Sequence, residues 1–126
     1  MTKKYKEIHK LKKMLEEADI PFDWIENWGY EKERVKQLSI IAPDLIERYQ
    51  ICYPKGSFKD TESRWISVIQ GFGTYGAESD RLEIMGGLTP WERFECGDDM
   101  SVIGYLTARN VFNRIKKNWE ENKSNE

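Results

Sequence analysis

The sequence predicts an α+β fold: an N-terminal helix, an antiparallel sheet of three to five strands, and a C-terminal helix packed on one face of that sheet. Three observations carry this. Tyr5, Ile8, Leu11, Leu15 and Ala18 recur at helical spacing near the start. Two runs rich in β-branched and aromatic residues, 48–53 and 64–70, flank a stretch of Pro, Gly, Ser and Asp. Val111, Phe112, Ile115 and Trp119 restore the helical spacing near the end.

In chain order, the first helix ends near Asp19, because Ile20-Pro21 cannot continue it. Alternation of Phe22, Trp24, Glu26 and Trp28 suggests a first strand closing at Gly29. Residues 31–38 are charged and helix-prone, and Pro43-Asp44 interrupts what precedes them, so 29–47 read as a short helix and a connection inserted between two strands. The runs 48–53 and 64–70 form a hairpin with a long polar loop. The second has apolar residues on both faces and so belongs at the sheet centre. Residues 82–85 favour a strand over a helical turn. Thr89-Pro90-Trp91-Glu92 opens a short helix by its Thr cap, its Pro and its Glu. Residues 102–106 lead into Thr107, which caps the last helix. One domain spans 1–119, followed by a polar tail over 120–126.

The composition narrows the function classes. With 126 residues the chain has the size of one compact domain. Its net charge of −2 creates no global field toward nucleic acid or anionic lipid. Aromatic residues make up 13% of the chain, too many for an intrinsically disordered segment. No apolar run reaches the roughly 18 residues of a membrane span, and the Lys-rich start lacks a signal peptide's apolar stretch. A cytoplasmic protein without membrane contact is expected.

Catalytic and metal chemistry find little support. Cys52, Cys96 and His9 fall short of the four ligands of a structural zinc site. Cys52 reads as a buried small hydrophobe, and the acids beside Cys96 disfavour a thiolate there. His9, among lysines, reads as solvated helix surface. Gly71-Phe72-Gly73-Thr74-Tyr75-Gly76 matches GxGxxG after a strand, yet no long helix clearly follows it and the kinase elements are absent. It reads as a glycine-hinged turn that projects Phe72 and Tyr75. Glu92, Glu95, Asp98 and Asp99 match no calcium-loop spacing and read as solvated acids around a helix end. No catalytic residue, metal or cofactor is expected.

Two binding surfaces are expected instead. Interface hot spots favour Trp and Tyr, so Phe72, Tyr75 and Trp91 are the candidates for contact with a protein partner. The alternative is nucleic-acid association through Lys10, Lys13, Arg114 and Lys117 on the terminal helices, by phosphate contact.

Parts of the chain resemble small phage- and prophage-encoded proteins of Gram-positive bacteria. The likeness rests on Leu15-Glu16-Glu17-Ala18-Asp19-Ile20-Pro21, Tyr49-Gln50-Ile51-Cys52-Tyr53-Pro54 and Ser67-Val68-Ile69. It continues in Gly73-Thr74-Tyr75-Gly76, in 80–86, in Val102-Ile103-Gly104-Tyr105-Leu106-Thr107-Ala108 and in Val111-Phe112-Asn113-Arg114-Ile115. These blocks cover a little over half the chain, and 29–47 look like an addition here. That group has no assigned biochemistry, so no functional residue carries over. The resemblance implies a mobile-element setting in a bacterial cytoplasm. The expectation is a non-enzymatic accessory protein that binds a host or phage protein, host-defence antagonism being one member of that class.

Overall fold

The structure is a computed structural model, and it describes residues 5–71, 73–74, 76–86 and 102–124. Helix α1 (Glu7–Glu17) leads into β1 (Asp23–Glu26). Helices α2 (Lys32–Ile41) and α3 (Pro43–Ile46) follow, then β2 (Arg48–Tyr53) and β3 (Ile66–Gly71). A 3₁₀ turn (Ala77–Ser79), β4 (Leu82–Gly86), β5 (Val102–Leu106) and α4 (Ala108–Ser124) complete the described chain. The expected α+β architecture is therefore present, with five strands.

Every neighbouring pair in the sheet is antiparallel and the spatial order is the chain order, β1-β2-β3-β4-β5. β3 holds the centre, as its two apolar faces require. Pairing Trp24↔Ile51, Ile51↔Val68 and Val68↔Ile84 aligns one row of side chains across four strands on a single face. Against that face α1 sets Ile8, Leu11 and Leu15, and α4 sets Val111, Phe112 and Ile115, forming one core. Ala18, expected in the stripe, is exposed, because α1 ends before it. The opposite face is more polar: Cys52, Ser67 and Glu83 are buried there beside Ile69, and Gln50 Nε2 donates to Ser67 Oγ at 2.7 Å.

The helix ends show how the layers lock. At the C-terminus of α1, Asp19 takes a left-handed φ of 58°. Its N–H donates to Glu16 O, and the Ile20 N–H donates to Leu15 O. This is the paired closure of a helix with an apolar contact beneath it, since Ile20 and Leu15 are both in the core. Tertiary acceptors serve the N-terminus. Asp80 Oδ1 accepts from Lys6 N and Glu7 N, and Gln70 Oε1 accepts from Ile8 N. The Glu7 carboxylate in turn accepts from Ala108 N, the first residue of α4. The two helix N-termini thus share one end of the sheet, where carboxylates suit their positive dipole ends. Thr107 caps α4 as expected, its Oγ1 accepting from Asn110 N at 3.2 Å.

Candidate functional site

Between β1 and β2 the chain makes an excursion. It leaves the sheet at Asn27 (φ 56°) and rejoins it at Arg48. Asn27 N donates to Arg48 O at 2.6 Å, so the two ends are hydrogen-bonded neighbours. The Asn27 side-chain amide donates to Ile46 O and ties down the far side of the loop. The inserted segment is more helical than a short helix and a connection. α2 runs ten residues, and Pro43 starts α3 at the position that lacks an intrahelical N–H partner. α2 packs chiefly on α3 and buries no residue; Val35 and Leu38 are half-buried. At its C-terminal end Ile40 and Ile41 stand 86% and 79% exposed. An isolated exposed apolar residue is ordinary, but two adjacent isoleucines on a helix with no buried side chain form a surface without its own core.

The base of this arm is an aromatic-guanidinium stack. The Arg48 guanidinium carbon lies 3.5 Å from the Trp28 ring centroid and 5.1 Å from that of Tyr30. Two glycines make the room. Gly71, opposite Arg48 in the register, has no side chain, and a Cβ there would lie 2.8 Å from Arg48 Cγ and 2.9 Å from its Cα. Gly29 adopts φ 84°, and its Cβ would press on Arg48 Nη1. Arg48 Nε and Trp28 Nε1 are buried without an acceptor, and no carboxylate pairs with Arg48 among the described residues.

A second aromatic group sits under α1. His9 is half-buried, its ring centroid 4.5 Å from Tyr49 and 5.4 Å from Trp24, both edge-on, and its Nδ1 is 2.9 Å from Tyr5 O. This corrects the expectation of a solvated His9. The neighbouring lysines mark the outer face of α1, but His9 lies one residue from Ile8 and turns toward the β1–β2 edge. Trp24 stacks on Tyr49, donates from Nε1 to Glu26, and carries Lys12 Nζ 4.8 Å above its ring. Burial, then the nearby Glu47 and Glu26 carboxylates, pushes the Tyr49 hydroxyl up to about 12. Beside Trp24 an open groove of about 420 Å³ is lined by Lys12, Glu16, Ile20, Phe22 and Lys55.

Of the residues read as partner-binding, Phe72, Tyr75 and Trp91 lie outside the described residues, as do the acids Glu92, Glu95, Asp98 and Asp99. In the described part of the glycine motif, Gly71 and Gly76 are buried packing positions, whereas Gly73 is exposed. Thr74 N and Oγ1 both donate to Gly71 O. Gly76 (φ 92°) packs so closely on β5 that a Cβ would lie 3.1 Å from Tyr105 Cα. Lys10, Lys13 and Lys117 are exposed and Arg114 is half-buried. Lys13 lies 4.0 Å from Glu17, and Arg114 Nε donates to Asn110, so local partners already engage part of this basic set. Cys52 is a fully buried free thiol, pushed up by burial. No group of three metal-ligating side chains occurs among the described residues. Nor is any helix among them long and apolar enough to cross a membrane.

Sequence reasoning missed Arg48, Trp28, Ile40 and Ile41. The available signals were the adjacent isoleucines in an otherwise charged segment and a glycine next to a tryptophan. Compared with protein-family models, curated proteins and solved structures, the chain finds no match.

Proposed function

We propose that this chain is a non-enzymatic binding protein, an accessory factor of a phage or prophage that engages a host or phage protein through the α2–α3 arm. Antagonism of a host defence is one role within this class. The observation that carries the reading is the exposure of Ile40 and Ile41 on a helix that buries nothing. Covering an isoleucine side chain stabilises by about 1.5–3 kcal/mol, so this pair alone supplies a sizeable part of an interface. The test is affinity capture from bacterial lysate, with and without nuclease, using the wild-type chain and an Ile40→Asp/Ile41→Asp variant. The expected result is a protein recovered despite nuclease and lost with the variant, whose melting temperature stays at the wild-type value. A partner held equally by both chains would overturn the assignment.

The second reading, a nucleic-acid-associated module, draws on the exposure of Lys10, Lys13 and Lys117. It requires recovery that vanishes with nuclease and an affinity that falls steeply with salt.

A further inference from the structure

We infer that Arg48, held against Trp28 and Tyr30 at the base of the arm, is a docking point for a single carboxylate, an acidic side chain of the bound protein. The inference rests on the protein-binding reading and names a chemical feature of the partner.

Three observations support it. The guanidinium is fixed before any ligand arrives, stacked 3.5 Å from the Trp28 ring and given space by Gly29 and Gly71. Arginine lies across aromatic faces while its planar fork of donors remains free to meet a carboxylate edge-on. Second, no ion pair among the described residues involves Arg48, and its Nε is buried without an acceptor. Third, the Trp28 indole N–H, in the ring against which the fork is stacked, is a second buried donor without an acceptor. Both donors are closed to solvent in the free protein, where unmatched donors are costly, which favours a rearrangement in the complex that brings an acceptor to them.

The charge count selects the ligand. Arg48 brings one positive charge, and its chain neighbour Glu47 brings a negative one. A carboxylate monoanion matches a single guanidinium, whereas a phosphate dianion calls for further cations.

The test uses the whole ¹⁵N-labelled chain and reads the Arg48 Nε–Hε and Trp28 Nε1–Hε1 signals by NMR. The probe is acetyl-Gly-Glu-Gly-amide, compared at equal ionic strength with its Gln counterpart and with inorganic phosphate. The Glu peptide is expected to move both signals saturably and the Gln peptide to move neither. Arg48→Lys keeps the charge but loses the fork, and should weaken the Glu peptide by about tenfold, the scale of one charge-assisted hydrogen bond. Trp28→Phe keeps the stack but removes one donor, and should leave a weaker response at Arg48. The site is overturned if the Glu peptide moves neither signal, if the Gln peptide acts equally, if phosphate binds more tightly, or if Arg48→Lys binds as wild type. A lysate partner retained in full by Arg48→Lys would overturn the carboxylate contact and leave the arm reading standing. A wild-type chain that captures no protein would overturn the arm reading, whatever the titration shows.

Discussion

Tyr53 on β2 donates its phenolic hydrogen to Oδ1 of Asn118 on α4 across 2.8 Å, with both residues buried. The bond ties the C-terminal helix to a strand through the core. Tyr53→Phe removes the donor, yet Asn122 Nδ2 still reaches the same oxygen at 3.1 Å. The expected loss is therefore about 1 kcal/mol of unfolding free energy, read as a lower urea midpoint with an unchanged slope.

The same tyrosine gives the fold an alkaline limit. Burial pushes its hydroxyl from the ordinary 10 up to about 12. An unfolded chain gives up this proton near pH 10 and the native chain near pH 12, so within that window the native state holds more protons. The stabilisation is complete below pH 10 and declines as pH rises toward 12. Tyr49, likewise pushed to about 12, adds the same sign. Urea midpoints at pH 8 and pH 11 should fall further for the wild-type chain than for Tyr53→Phe.

Two glycine substitutions should differ sharply. At Gly86 (φ 103°) a Cβ would collide with the Trp65 carbonyl oxygen, while at Gly73 (φ 88°) it would meet open space. Gly86→Ala should cost about 3 kcal/mol or more, from collision added to backbone strain. Gly73→Ala carries only the left-handed backbone cost of about 1 kcal/mol. Thermal melts of the two variants side by side check the contrast.

Asp80 should prove a stability hub. Its Oδ1 accepts from Lys6 N, Glu7 N and Gln70 Nε2, the last at 2.6 Å. Asp80→Ala uncaps α1 and leaves the fully buried Gln70 amide short of an acceptor, for a loss of about 2–3 kcal/mol. Asp80→Asn keeps an acceptor oxygen and tolerates the left-handed φ of 53°, so its loss in denaturant titration should be smaller.

Cys52 should be inert in the native state. Its thiol is fully buried and pushed up by that burial, so little thiolate forms and reagent has no access. In a Cys96→Ser background, a disulfide reagent at pH 8 should modify Cys52 only as fast as the chain opens, and immediately in denaturant. Rapid native modification would contradict the burial.

The fold was legible where residue spacing alone decides it. Ile8, Leu11 and Leu15 define a helix face, and the runs around Ile51 and Val68 define strands, whatever they pack against. The candidate site was not legible for the opposite reason. Arg48 meets Trp28 because Asn27 and Arg48 close the excursion, and it has room there because the β2–β3 register places Gly71 opposite it. Neither relation exists before the sheet is assembled. Gly71 and Gly76 read from their spacing as hinges of a turn, and their close approach to Arg48 and Tyr105 became visible only in the fold. His9 was misread because neighbours in sequence hid its neighbours in space.

The hydrogen bond from Asn27 to Arg48 has an architectural consequence. Because the sheet is already joined at that pair, residues 28–47 behave as a cassette whose length and content are uncoupled from strand register. A tenfold difference in loop length changes closure entropy by only about 2 kcal/mol. Shortening the arm between Tyr30 and Ile46 should therefore leave the β1–β2 pairing intact.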